Sequence, residues 1–397
     1  MSSRSDMLAL RNQTAGGDER SSPIHAAGRG LDRSVCLLFA WSGHTQIPRA
    51  RLCARDFASD NETGKICRGE RAVADLSDFS ILTSAERREA NLARCTPEGK
   101  KRYEDSLRNP RALRQLGPQL LRPYADAPVD SAGGPENRSV ETIKIPGPSG
   151  PIPAAVIAPE GDGPFGIYIN LHAGGFIGRS GLGDLSEART RASELDCVVV
   201  HPDFRVAPEH KYPATIDDCW AVTQWVFENA DAIGGDANRI GIGGGCTGGN
   251  FSAVMAIMCR DAGLPLAVQF LYFTIVDLRC DYASHFEFQN GYLLTRDSNL
   301  YVIGEYLEFA EQRFEWQASP ILAPSLRGVA PARIVNGEFE ILRDEMTAYT
   351  NRLRDAGVEV SQRICECQAH GFVDDDVEKE VNRESNAFLR RYIGPLR

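Results

Sequence analysis

From residue 140 onward the apolar residues fall into two alternating patterns. Short runs rich in β-branched and aromatic residues predict strands: ETIKI, IPAAVIA, GIYINL, CVVVHPDF, RIGIG, AVQFLYFTI, ARIVNG and VEVSQRICEC. Between them, ATIDDCWAVTQWVFENA, NFSAVMAIMCRDAG, DEMTAYTNRLRDAG and EKEVNRESNAFLRRYI repeat their apolar positions at helical spacing. Alternation of this kind predicts an α/β protein with a mostly parallel central sheet and helices on both faces, opened by a hairpin-like pair. The stretch from 277 to 330 breaks the rhythm with a helix, DSNLYVIGEYLEFAEQ, and loops. An insertion there is expected above the strand ends, where open α/β sheets bind their ligands.

Upstream the pattern differs. SAERREANLARC, PEGKKRYEDSLRN and PRALRQLGPQLLRPY predict short amphipathic helices broken by Pro and Gly, so 73–139 is expected to be a helical cap or flap. Residues 1–72 are rich in Arg, Ser, Gly and Asp without a sustained period and are expected to be a disordered extension. The main α/β domain is expected over 140–397.

Composition narrows the functional classes. The 397 residues carry a formal charge of −10, with no basic stripe interleaved with aromatics, which disfavours nucleic acid and anionic membranes as partners. Eleven cysteines, an odd number without the spacing of a disulfide scaffold, suit a reducing compartment, and VCLLFAW is too short to span a bilayer. The expectation is a cytoplasmic protein acting on a small molecule, with a homodimer permitted.

Three short segments carry candidate chemistry. In RIGIGGGCTGGNFSAVM a strand enters a glycine turn at Cys246 and leaves as a helix, so the helix N-terminus faces the sulfur and favours negative charge on it. By itself this segment is equally a phosphate-binding turn or a buried structural cysteine. In NLHAGGF a glycine pair, Gly174 and Gly175, leaves a strand and can turn two N–H groups toward one point, as a tetrahedral oxyanion requires. Glu340, after ARIVNG, and His370, after VSQRICECQ, are expected at the same edge of the sheet. There a carboxylate can orient an imidazole that serves a nucleophile. Cys365 and Cys367, placed on one face of a strand with a single nearby His370, make a poor metal site.

Together the segments resemble the hormone-sensitive-lipase-like family of α/β-hydrolases. HAGGF is similar to that family's HGGGF, DFRVAPEHKYPATIDD to DYRLAPEH-x-YPAA-x-DD, GGGCTGGN to GDSAGGN, EFEILRDE to EYDPLRDE, and AHGF to HGF. ASPILAPSLRGVAPARIV is similar to the SPL-x-A-x-L-x-G-LPP stretch. The resemblance implies an α/β-hydrolase fold with a helical cap. It implies Cys246 as nucleophile, His370 as base and acid, and Glu340 as the orienting carboxylate. The N–H groups of Gly174, Gly175 and Thr247 would form the oxyanion hole. It implies no metal and no organic cofactor, and it makes Arg205 and Glu209 part of a structural ion-pair network beneath the site.

Three positions depart from the family pattern. Cys246 stands for Ser, Gly245 for the preceding Asp, and Ala173 for the first Gly of the oxyanion motif. Only the cysteine changes the chemistry. A sulfur nucleophile attacks readily but is also a good leaving group, so its adduct with a simple alkyl ester tends to expel sulfur. Lactones, aryl or enol esters and thioesters suit it better, as in the dienelactone hydrolases with a Cys, His and acid triad. The expected function is hydrolysis of a carboxylic ester, lactone or thioester of a small hydrophobic molecule through a covalent acyl-enzyme. The alternative is a repurposed member that catalyses cyclisation, acyl transfer or elimination on a biosynthetic intermediate. A non-catalytic ligand-binding protein would have no need to keep His370, an acid and the oxyanion glycines together. In the 277–330 insertion, Phe286, Phe288, Tyr292, Tyr301 and Tyr306 are candidates for a pocket lining and equally for core.

Overall fold

The structure is a computed structural model that describes residues 84–108, 122, 139–290 and 292–395. The expectation for 1–72, and the helix expected over PRALRQLGPQLLRPY, fall outside these residues apart from Arg122.

Eight strands form one sheet: β1 (Ser139–Ile145), β2 (Ile152–Ala158), β3 (Phe165–Asn170), β4 (Val198–Pro202), β5 (Gly235–Gly245), β6 (Leu266–Tyr272), β7 (Ala332–Gly337) and β8 (Val360–Cys365). Their spatial order is β1-β2-β4-β3-β5-β6-β7-β8. β2 runs antiparallel to both β1 and β4, whereas β3 to β8 pair in parallel. Order therefore reverses around β3, and the carboxyl ends of β5, β7 and β8 open on one edge.

The helices are α1 (Ser84–Leu92), α2 (Pro97–Arg108), α3 (Ser186–Leu195), α4 (Ala214–Glu228), α5 (Thr247–Ala262), α6 (Ala283–Glu287), α7 (Arg296–Tyr306), α8 (Arg343–Asp355) and α9 (Asp375–Ile393). Strand periodicity divides the core between them, because successive side chains point to opposite faces. Ile167 and Ile169 of β3 join a large cluster with Ile216 and Val222 of α4, Phe251 and Met255 of α5, and Tyr349 of α8. Tyr168, between them in sequence, joins a second cluster with Ala188 and Leu195 of α3 and Leu389 and Ile393 of α9. The long last helix starts at a side-chain cap: Asp374 accepts the N–H groups of Asp376 and Val377.

The insertion carries α6, α7 and two single-turn helices. Phe288, Tyr292 and Tyr306 are core residues there, Tyr301 is half-buried and Phe286 is exposed. The helix expected over DSNLYVIGEYLEFAEQ ends at Tyr306. Two elements were not expected: α6 and α3. Buried residues on α3 include Arg189 and Arg191, so its inner face does not read as apolar. Arg191 lies over the Phe270 ring at 4.9 Å and donates to Asn386 Oδ1 at 3.0 Å, which satisfies a charge held against the sheet.

Candidate active site

β5 ends in the turn that carries Cys246. The chain must reverse within one residue to start α5, and Cys246 takes φ 51° and ψ −118°, a conformation that an L-residue adopts only when its surroundings enforce it. Its N–H donates to the Tyr272 carbonyl at 2.8 Å. Gly244 and Gly248 permit this turn because a Cβ on either would collide with the Leu171 carbonyl of the neighbouring chain segment. Cys246 is partly accessible, unlike the buried Cys219 and Cys259 of the adjacent helices.

Glu340 follows β7 and is almost wholly buried. Its Oε2 accepts the Gly337 N–H at 3.0 Å, and its Oε1 accepts from His370 Nδ1 at 2.6 Å. Glu340 takes up Nδ1 of His370, and Cys246 lies near enough to act on the charge of the ring. Burial opposes a charge on His370, but Cys246 and then Glu340 outweigh it and raise the His370 pKa to about 10. An imidazolium held between sulfur and carboxylate is the resting state this geometry favours. Phe273 and Phe372 wall the ring: Phe273 meets it edge-on at 5.8 Å, and Phe372 packs on Phe273 at 5.3 Å.

The Gly174–Gly175 segment leaves β3 and runs to the Cys246 turn. Gly174 and Gly175 have φ of 142° and 59°, which glycine adopts without strain. Among the described residues, neither of these N–H groups nor that of Thr247 is donated to a backbone carbonyl of a turn or loop. Thr247 Oγ1 accepts the Phe176 N–H at 3.4 Å and so ties this segment to the Cys246 turn. α7 lies over it: a Cβ on Gly175 would come within 3.2 Å of Val302. The arrangement thus places Cys246, His370 and Glu340 at the carboxyl edge of the sheet, with the Gly174–Gly175 segment tied to the Cys246 turn through Thr247.

A family model described as alpha/beta hydrolase fold matches residues 168–374, a span that contains Cys246, Glu340 and His370. The chain belongs to the α/β-hydrolase fold family. Within that family it is 34% identical over 264 residues to the carboxylic ester hydrolase LipN of Mycobacterium tuberculosis, covering 64% of this chain and 69% of that one. It is 36% identical over 215 residues to the carboxylesterase NlhH of the same species, covering 52% of this chain and 66% of that one. A thermostable esterase from Pseudomonas putida ECU1011 has a similar fold, with a TM-score of 0.67 and 28% identity over 76% of this chain and all of that one.

Against this α/β-hydrolase frame, two of the three departures prove sterically mild. Ala173 does not take a positive φ, so its methyl group fits where the family pattern has glycine. A Cβ on Gly245 would meet Tyr272 at 3.5 Å, an ordinary contact, so the loss of Asp there is not forced by space. The ion pairs near DFRVAPEH differ from expectation. Arg205 pairs with Asp218 at 2.7 Å, whereas Glu209 pairs with Arg122 at 2.8 Å, so each anchors a separate segment. Cys365 and Cys367 also part company: β8 stops at Cys365, which is buried against α9, and Cys367 lies in the loop beyond. Glu338 was missed by sequence reasoning. Its Oε2 accepts the Cys367 N–H at 3.0 Å, and its own N–H donates to the Cys365 carbonyl at 3.0 Å, which locks the Glu340 loop to the His370 loop.

Proposed function

We propose that the protein hydrolyses carboxylic esters of small molecules, with Cys246 as nucleophile, His370 as general base and acid, and Glu340 as the residue that orients His370. The observation that carries this reading is the position of His370, hydrogen-bonded to Glu340 at 2.6 Å and close enough to Cys246 for that residue to raise its pKa. Names of relatives, carboxylic ester hydrolase and carboxylesterase among them, support the same reaction class.

In this reading Cys246 Sγ attacks the ester carbonyl carbon while its proton resides on His370 Nε2. The carbonyl oxygen becomes an oxyanion facing the N–H groups of Gly174, Gly175 and Thr247, where fixed dipoles stabilise charge without reorganisation. Collapse breaks the carbon–oxygen bond, His370 gives its proton to the departing alkoxide, and an acyl thioester remains on Cys246. Water, deprotonated by His370, then attacks the thioester and releases the acid, and the proton returns to the sulfur–imidazole pair. Glu340 holds the imidazole in the tautomer and orientation that both halves need. The 277–330 insertion caps the site, as the approach of Val302 to Gly175 supports.

The leaving-group chemistry of sulfur sets substrate preference. Aryl esters, lactones and thioesters, whose leaving groups compete with a thiolate, are turned over faster than alkyl esters. A panel of these four classes tests the reading with wild type, Cys246→Ala and Cys246→Ser. Turnover that disappears in Cys246→Ala is expected, together with a rise in the alkyl-ester to thioester rate ratio in Cys246→Ser. Equal turnover by wild type and Cys246→Ala would overturn the covalent reading, and an unchanged ratio in Cys246→Ser would overturn the leaving-group argument.

A further inference from the structure

A second pair of sulfurs sits behind the His370 loop. Cys95 occupies the turn between α1 and α2. Its thiol donates to the Asn91 carbonyl at 3.6 Å, lies 4.0 Å from the Cys367 carbonyl oxygen and neighbours the Cys367 side chain. Cys367 takes a left-handed φ of 56°, three residues before His370. Both sulfurs are partly accessible, whereas the other described cysteines, Cys246 excepted, are buried.

The surroundings hold these two residues face to face. Tyr103 of α2 donates its hydroxyl to the Cys367 carbonyl at 2.9 Å. Arg94, next to Cys95, pairs with Glu338 at 2.7 Å, and Glu338 accepts the Cys367 N–H. Thr96 donates to Asp374 at 3.1 Å and Arg102 pairs with Asp375 at 2.8 Å, so α1 and α2 are fastened on both sides of the loop. Arg94 brings its charge near both residues, but it is already paired with Glu338. Burial and then the neighbouring Cys367 outweigh it and push the Cys95 pKa up to about 12, which makes Cys95 the resolving and not the attacking thiol.

We propose that Cys95 and Cys367 form a reversible disulfide site, closed by a low-molecular-weight disulfide, which ties the N-terminal helices to the loop carrying His370. The Cys367 thiolate attacks one sulfur of the small disulfide, forms a mixed disulfide and expels one thiolate. Cys95 then loses its proton to solvent and attacks the Cys367 sulfur, expelling the second thiolate. Two protein thiols are oxidised and one small disulfide is reduced to two thiols. Forming a bond of about 2.05 Å between the two sulfurs draws the Cys367 loop toward α1. His370 moves with it, and a displacement of about 1 Å at a catalytic group costs as much as 10²-fold in rate.

The test uses the full chain and glutathione disulfide as the probe, with alkylation and peptide mapping before and after dithiothreitol. A Cys95–Cys367 cross-linked peptide that dithiothreitol abolishes is expected. Cys95→Ser should lack it, while matching reduced wild type in turnover. Cys95 and Cys367 remaining alkylatable, or trapped only as mixed disulfides with glutathione, would overturn the site. The effect on rate rests on the hydrolase reading above: oxidised wild type should lose tenfold or more of its aryl-ester turnover, regained on reduction. A cross-link with unchanged turnover would overturn the link to His370. Absence of ester turnover even in the reduced protein, with the cross-link present, would refute the hydrolase reading and leave the disulfide standing.

Discussion

Two histidine–glutamate pairs occur among the described residues, and their environments differ. His370 and Glu340 meet at 2.6 Å, with the histidine side chain 19% exposed and Cys246 acting on it. His285 and Glu345 stand 3.2 Å apart and are both completely buried. At the first pair, sulfur and carboxylate overcome burial and raise the His370 pKa to about 10. At the second, burial dominates and pushes the Glu345 carboxyl up to about 7, against the pull of His285 and of the Val276 N–H. Glu345 Oε1 accepts N–H groups of Val276 and Asp277 at 2.7 and 3.2 Å, so that carboxyl organises the chain where it enters the insertion. The same two residue types thus make a pair beside a partly accessible sulfur and a structural pair inside a core. What separates them is a third group and access to the cleft.

The largest expected effect breaks the comparison on one side only. Glu340→Gln should lower kcat about 10³- to 10⁴-fold, because the imidazole loses the partner that fixes its tautomer, whereas Glu345→Gln should stay within a few-fold of wild type. Initial rates on an aryl ester measure both, and comparable losses in the two variants would erase the distinction.

A smaller effect sharpens the first pair. Cys246→Ala removes the group that does most to raise the His370 pKa, so His370 should titrate well below about 10 in the variant. NMR titration of ring-labelled histidine reads this directly, and an unmoved His370 would show that sulfur does not stabilise its charge.

The smallest effect is on stability, and its sign follows from linkage. Both groups have folded-state pKa values above their ordinary ones, so each contributes stability that is complete below the ordinary value and lost as pH rises through the folded value. For Glu345 that window runs from 4.5 to about 7, and for His370 from 6.5 to about 10. The difference in Tm between wild type and Glu345→Gln should therefore shift against wild type across the lower window. That between wild type and His370→Ala should do so across the upper one. A difference that moves the other way in either window would reverse the assigned shift.

Much of this was legible in the chain because the determinants are local. β3, β4, β6 and β7 are short runs buried on both faces, and Gly244, Cys246 and Gly248 record a tight turn in their spacing. Glu340 and His370 were placed at one edge because both follow strands. Elements that depend on distant partners were not legible. α3 was missed because Arg189 and Arg191 occupy its inner face, where Arg191 is satisfied by Phe270 and Asn386. Glu338 reads as a solvated loop residue until the Cys367 N–H is placed against it. The contact between Cys95 and Cys367 spans 272 positions and leaves no local pattern. The buried pair was hidden for the same reason, since Glu345 lies inside the EILRDE motif while His285 comes from α6.

The central claim is that Cys246 carries the acyl group. Intact-mass analysis of the protein quenched in acid during turnover of a slowly released aryl ester tests it most directly, with peptide mapping of the modified species. The expected result is a mass increase of one acyl group, mapped to the peptide containing Cys246, discharged by hydroxylamine and absent from Cys246→Ala. Turnover without such an adduct, or an adduct that persists in Cys246→Ala, would contradict the account.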